Sequence, residues 1–307
     1  MSQIQRRKFL KRAGQTAGLI IAGGSIKSLL VACGGNVATT PESTSQTAQV
    51  PSTGLMTPGS LQWGGESTSG APYVFQDPTD PNQLVGFEVE IADALAKLMG
   101  VKQAFVQTAY GQLPAALASD KFDFIMNGWE INDDRAKTQI FSVPYYHYGQ
   151  QIVVRADDPR FKDYTETSDL TLKNLAGMTV GTGSGYKAED LLRADKALTT
   201  KAYDGNLPFD DLTQKKVDAV FLDFPIVAYF VLGSGPGGTT NDKLRLIGKP
   251  FELSDYVVAF HKSSPRATAL QKEIDQAFGI LKKDGTLKGI YEKWKMWNAQ
   301  QADIGIV

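Results

Sequence analysis

Two hydrophobic periods alternate along the chain. Phe87, Ile91, Leu95 and Leu98 recur every three to four residues between Gly86 and Gly100, which predicts an amphipathic helix stopped by Gly100. In contrast, 121–127 (Lys-Phe-Asp-Phe-Ile-Met-Asn) is a short apolar run bounded by polar residues, the pattern of a buried strand. Residues 60–66 read as a strand running into a glycine-rich turn, Phe105 and Val106 sit in a strand, and 113–118 form a helix. The same alternation returns in a second group. A strand and glycine turn span 178–185, helices cover 186–194 and 207–216, and the strand 217–223 ends at a helix opened by Phe224-Pro225. Strands at 149–155 and 256–260 lie between the groups, and helices over 266–283 and 284–297 close the fold. Such alternation predicts mostly parallel sheets covered on both faces, in two α/β lobes.

One stretch concentrates polar chemistry at a strand end. Gly128-Trp129-Glu130-Ile131-Asn132-Asp133-Asp134-Arg135 follows the 121–127 strand, and its Asn and Asp residues suit the first turn of a helix, where side-chain oxygens accept from free N–H groups. In open α/β sheets ligands bind beyond the carboxyl ends of the strands, at such strand-to-helix junctions. A second candidate is Gly181-Thr182-Gly183-Ser184-Gly185-Tyr186, a glycine turn opening a helix and therefore a place for an anion. Its third glycine comes too early for a dinucleotide fingerprint, and a phosphate-loop Lys-Ser/Thr is absent from the sequence.

Arg135-Ala136-Lys137-Thr138-Gln139-Ile140-Phe141-Ser142-Val143-Pro144-Tyr145-Tyr146 completes a longer pattern. With the segment before it, this resembles the signature of the polar amino-acid solute-binding proteins of ABC transporters, Gly-x-Thr-x-Thr-x-x-Arg followed by Phe-Ser-x-Pro-Tyr-Tyr. The ending Lys282-Lys283-Asp284-Gly285-Thr286-Leu287, with Ile290-Tyr291-Glu292-Lys293-Trp294, is also similar to that family, so the resemblance spans about 59–298. It implies a periplasmic-binding-protein-like type II fold: 59–154 plus 255–298 as lobe 1, 155–254 as lobe 2, a two-segment hinge, and 299–307 as a C-terminal tail. It further implies that Arg135 grips the ligand α-carboxylate with its planar fork, that backbone N–H groups around Ser184, Gly185 and Tyr186 assist, and that Asp223 pairs with the ligand ammonium. A helix N-cap is the alternative role for Asp223. Asp123 and Asp218, each just before a strand, read as structural.

Departures from the signature carry information. Glu130 stands where the family more often has Thr or Ser, and Tyr186 where it usually has Ser or Thr. Glu66 resembles an acid that touches ligand side chains in some members. Glu66, Glu130 and Asp223 against Arg135 leave the cleft negative, which points to arginine, lysine or histidine as ligand. Alternatively, Glu130 bonds Arg135 or a backbone N–H and says nothing of the ligand. Trp129 and Tyr73 are candidate walls for stacking on a cationic side chain, while Ala109 and Gly70 stand near positions where many members carry aromatics.

Charge and composition add a location. Setting aside residues 1–32, which hold six basic and no acidic side chains, leaves 26 basic against 33 acidic side chains, a balance opposed to nucleic-acid binding. Residues 1–33 read as a targeting segment with a basic start and an apolar core. Gln5-Arg6-Arg7-Lys8-Phe9-Leu10 resembles the twin-arginine export motif, with Gln where Ser or Thr is commoner, and Leu30-Val31-Ala32-Cys33-Gly34 resembles a bacterial lipobox whose cysteine is lipidated. Cys33 is the single cysteine, so no intramolecular disulfide forms. Residues 34–58 have a Ser/Thr/Gln/Pro composition and read as a disordered tether.

The expectation is thus a lipid-anchored, monomeric binding protein on the extracytoplasmic face of a membrane, without metal or cofactor, delivering an amino acid to an ABC permease and its ATPase. Cyclohexadienyl dehydratases resemble the same family, so an enzyme using a cleft carboxylic acid is the first alternative. A ligand sensor for a membrane receptor is the second. His147 and His261 lie in no motif, and no Ser-His-Asp grouping is visible in the sequence.

Overall fold

The computed structural model describes residues 48–307 apart from 69, 205 and 206. The targeting segment, Cys33 and residues 34–47 lie outside the described residues. In chain order the strands are β1 (Ser60–Gly65), β2 (Phe75–Gln76), β3 (Leu84–Val85), β4 (Lys102–Gln107), β5 (Phe124–Ile125), β6 (Gln139–Phe141), β7 (Tyr146–Arg155), β8 (Thr179–Gly183), β9 (Thr199–Tyr203), β10 (Ala219–Asp223), β11 (Leu244–Tyr256) and β12 (Ala259–His261). The helices are α1 (Phe87–Met99), α2 (Leu113–Ala118), α3 (Asp133–Thr138), α4 (Lys187–Ala194), α5 (Phe209–Thr213), α6 (Phe224–Phe230), α7 (Ala267–Lys283) and α8 (Thr286–Lys293).

Two five-stranded sheets result, in the orders β4-β1-β5-β12-β6 and β11-β7-β10-β8-β9. Apolar runs in central strands divide their side chains between the two sides of a sheet, as period-two geometry requires. In β10, Val220 and Leu222 join one core while Ala219 and Phe221 join another. In the first sheet, Phe124 and Ile125 part in the same way. The predicted helix stop is observed: Gly100 takes a left-handed conformation at φ 66° and its N–H returns to the end of α1.

The chain passes between the sheets twice, out along β7 and back along β11. These strands pair antiparallel from Tyr146 opposite Tyr256 to Arg155 opposite Leu244, with register shifts between Ile247 and Phe251 and between Phe251 and Ser254. β7 also pairs with β10 through residues 150–153. Those residues therefore belong to the second sheet, and the first lobe ends earlier than the boundary at 154 drawn from the sequence. The reason is that a crossing strand takes its partners from the sheet it enters.

A further correction concerns residues 48–58, assigned to the tether by composition. Val50 and Leu55 are buried. The N–H groups of Gln49 and Val50 donate to the Leu98 carbonyl, those of Thr53 and Gly54 to the Glu273 carboxylate, and that of Met56 to Asp123 at 2.7 Å. Long-range partners satisfy this backbone, and composition does not reveal them. The end of the chain is docked as well. Gln301 exchanges hydrogen bonds with the His147 backbone at the start of β7, and Ile306 is buried.

Candidate functional site

A cavity of about 390 Å³ lies between the lobes. The first lobe lines it with Glu66, Gly70, Tyr73, Ala109, Tyr110, Gly128 and Glu130, and the second with Ser184, Gly185, Tyr186, Tyr203, Asp204 and Asp223. Both lobes contribute the carboxyl ends of strands, where the α/β topology places ligands. Among the described residues, every ionisable carboxyl or amine group lining the cavity is acidic; no lysine, arginine or histidine takes part.

In the first lobe, the β5 to α3 junction folds as its sequence predicts. Asn132 is the N-cap, its side-chain oxygen accepting from the Arg135 N–H at 2.8 Å. Gly128 turns the chain at φ 57°, and a Cβ there would sit 2.8 Å from the Tyr73 ring. Its N–H donates to Glu88 Oε1 at 2.7 Å, and the Tyr145 hydroxyl donates to the same oxygen. Glu88 is fully buried and its other oxygen has no partner, so burial raises its pKa to about 7. Sequence reasoning missed Glu88. An acid one residue into an otherwise apolar buried helix face is the signal that was available.

Glu130 and Arg135 form an ion pair inside the wall of the cleft. Arg135 Nη1 donates to Glu130 Oε2 at 3.1 Å and to the Glu130 carbonyl at 2.8 Å, while Nη2 reaches the Tyr110 hydroxyl at 3.3 Å. The other Glu130 oxygen accepts from Tyr148 at 2.8 Å. Of the two expectations for Glu130, bonding to Arg135 is the one observed. Arg135 itself is not among the residues lining the cavity, and its side chain is only 11% exposed. Its guanidinium lies 3.5 Å over the Trp129 ring. Trp129 is thereby corrected from a ligand wall to a core residue: it is 1% exposed, and its indole N–H donates to Gln139. An indole with both a covered face and a bonded N–H has nothing left to offer a ligand.

The glycine turn of the second lobe is also internally satisfied. The Ser184 N–H donates to the Tyr203 carbonyl, the Tyr186 N–H to the Gly183 carbonyl, and the Gly185 N–H to Glu189 Oε2 at 2.7 Å. Ser184, Gly185 and Tyr186 still line the cavity. Across it, the Tyr186 and Tyr110 rings stand 5.3 Å apart.

Asp223 closes β10 and occupies the N-cap position of α6, yet its side chain makes no cap hydrogen bond. Its oxygens accept from Gln150 at 2.7 Å and from the Tyr256 hydroxyl at 2.5 Å, with Tyr73 farther off at 3.5 Å. All three donors are neutral. Burial, followed by the charge of Glu130, raises the Asp223 pKa to about 7. A cation delivered to this carboxylate would supply the positive charge that its surroundings lack.

Glu66 lines the cavity while accepting from the Thr68 N–H and from Gln107. Tyr73 lines it as expected, with its hydroxyl bonded to that of Tyr256 at 2.7 Å. Gly70 and Ala109 line it too, and a Cβ on Gly70 would meet the Glu66 and Val74 carbonyls at about 2.1 and 2.2 Å, leaving no room for an aromatic. Asp204, Tyr203, Tyr110 and Gln150 were missed; the position of the first two at the carboxyl end of a strand was the usable clue. Asp123 and Asp218 accept backbone N–H groups, as their structural reading requires.

The profile of the bacterial extracellular solute-binding proteins, family 3, matches residues 64–296. The chain is 32% identical over 238 residues to the L-cystine-binding protein TcyJ of Escherichia coli (strain K12), covering 77% of this chain and 82% of that protein. Among solved structures, an ancestral arginine-binding protein bound to arginine is similar with a TM-score of 0.63 and 32% identity, over 77% of this chain and 98% of that one. An ancestral amino acid-binding protein described as a precursor of cyclohexadienyl dehydratase is similar with a TM-score of 0.64 and 27% identity, over 77% of this chain and 95% of that one.

Proposed function

Because the chain belongs to the bacterial extracellular solute-binding proteins of family 3, with a type II periplasmic-binding-protein fold, we propose that it is the amino-acid-binding component of an ABC importer. It closes on an L-amino acid with a cationic side chain, arginine, lysine or histidine, and delivers it to the permease and ATPase. The observation that carries the choice of ligand is the acidic lining of the cavity, with Glu66, Asp204 and Asp223 facing it and no basic side chain lining it among the described residues. Closure follows from binding energy alone, since a ligand that touches both lobes stabilises the state in which both are near. Glu66, Tyr73, Glu130, Ser184, Gly185, Tyr186 and Asp223 form the contact set, and Gly128 and Arg135 hold its shape. The protein acts as a monomer held at the extracytoplasmic face by a lipid on Cys33.

Titration calorimetry tests the ligand. The purified chain is unfolded and refolded to shed carried ligand, then titrated with arginine, lysine, histidine, glutamine, glutamate and leucine. Binding confined to the basic three supports the reading, whereas preference for glutamate or leucine removes it. Fractionation of cells carrying Cys33→Ala tests the anchor, with release from the membrane fraction as the expected result. A dehydratase is the second reading, favoured by the buried Asp223, whose raised pKa suits proton transfer near neutrality. Phenylpyruvate formed from prephenate is its readout.

A further inference from the structure

The carboxyl end of the second sheet presents two acids to the cleft. β8 pairs with β10 through Gly181 opposite Val220, and with β9 through Gly183 opposite Tyr203. Continued to the strand ends, this register brings Asp223, Ser184 and Asp204 level, one on each of three neighbouring strands. Two strand spacings then separate Asp223 from Asp204, about 10 Å. Both acids line the cavity, and no basic side chain lines it among the described residues. The lysines near β9 do not answer Asp204 either: Lys201 and Lys216 are both held by Asp211, at 2.8 and 3.1 Å.

Between the two acids lies an aromatic surface. The Tyr186 ring covers Gly183 at the end of the middle strand, where a Cβ on Gly183 would stand 2.6 Å from that ring. Tyr110 meets the same ring from the first lobe, with centroids 5.3 Å apart, and both tyrosines line the cavity. The order across the strand ends is thus anion, ring, anion. Lysine and arginine have the matching order of parts, a cation at each end of an apolar stem that packs well on a ring. Six bonds separate the α-nitrogen from Nζ of lysine or Cζ of arginine, about 7 Å when extended. With a contact of about 3 Å at each end, such a ligand bridges acids so spaced. The imidazole of histidine stands nearer its α-ammonium and falls short.

We propose that the second lobe reads both positive charges of the ligand, Asp223 taking the α-ammonium and Asp204 the side-chain cation, with the stem lying on Tyr186. Asp204 and Tyr186 then set specificity, and the ligand class narrows to lysine and arginine. This inference rests on the cationic-ligand reading above. The competing seat for the distal cation is Glu66 of the first lobe, which already accepts from the Thr68 N–H and from Gln107.

The test is calorimetry on the refolded full chain with arginine, lysine and histidine, and with citrulline and norleucine as neutral counterparts of the first two, beside Asp204→Asn and Glu66→Gln variants. In the unmodified protein arginine and lysine are expected to bind at least about tenfold tighter than histidine and the neutral pair. Asp204→Asn is expected to lower the arginine-to-citrulline affinity ratio about fivefold, the scale of a partly exposed ion pair. Asp204 is an exposed residue, so the variant folds. A ratio unchanged within about twofold in Asp204→Asn overturns the inference, and its loss in Glu66→Gln instead keeps the cationic-ligand reading with the distal cation on the first lobe. Histidine binding as tightly as arginine overturns the spacing. Arginine binding no tighter than citrulline in the unmodified protein overturns both readings.

Discussion

Two strand-to-helix junctions face each other across the cleft, β5 to α3 in the first lobe and β10 to α6 in the second, and each sets an acid just beyond its strand. Glu130 is neutralised in place by Arg135. Asp223 has only an amide and hydroxyls around it, and burial lifts its pKa to about 7. The two acids are linked to the crossing strands in parallel fashion. Tyr148 of β7 donates to Glu130, Tyr256 of β11 donates to Asp223, and the two tyrosine rings stack at 4.1 Å. The same residue class thus serves two ends: one acid completes the protein's own charge balance, while the other leaves that balance to the ligand. What distinguishes them is the presence of a guanidinium within reach.

That contrast is broken most severely by removing the paired acid. Glu130→Ala leaves the Arg135 charge buried without its partner and is expected to lower unfolding stability by about 3–5 kcal/mol, read by urea denaturation of the ligand-free protein. Asp223→Asn is the converse case. Its fold should be retained, because the amide oxygen still accepts from the Tyr256 hydroxyl and the NH2 group donates to the unpartnered Gln150 Oε1 once that side-chain amide turns over, while affinity for a cationic ligand drops about a hundredfold or more in calorimetry. An Asp223→Asn protein that binds arginine normally would place the ligand cation elsewhere.

Tyr256→Phe sharpens the comparison at smaller cost. The lost hydrogen bond favours the ionised form of Asp223, so the variant should bind about tenfold more weakly at neutral pH, given that a bond to a charged group contributes about 1.5–3 kcal/mol. Tyr148→Phe, acting on the acid already neutralised, should change affinity less. The last prediction concerns pH. With its pKa near 7 in the fold, Asp223 is ionised above that value and protonated below it, so ligand affinity falls by up to about tenfold per pH unit as pH drops below 7. Ligand-free stability runs the other way. Glu88 and Asp223 both have pKa values raised to about 7, against about 4 for an unfolded carboxylate. The folded protein therefore holds more protons between those values, and these groups make it less stable as pH rises through that window. Calorimetry and thermal melts from pH 5 to 8 read the two opposed slopes.

The sequence by itself determined the alternation of strands and helices, the left-handed stop at Gly100, the Asn132 cap and the positions of Glu130, Asp223 and the glycine turn at strand ends. These follow from local chemistry: periodicity, caps and turns depend on residues a few positions apart. Only the tertiary structure decided which charge meets which. Arg135 and Glu130 are five residues apart, yet their pairing depends on Tyr110 and Tyr148 arriving from elsewhere in the chain. Likewise Asp204 enters the cavity through the packing of β9, Glu88 reaches Gly128 from α1, and residues 48–58 dock through Glu273 and Asp123. A side chain's type fixes what it is able to bond, but burial and long-range neighbours fix what remains free for a ligand.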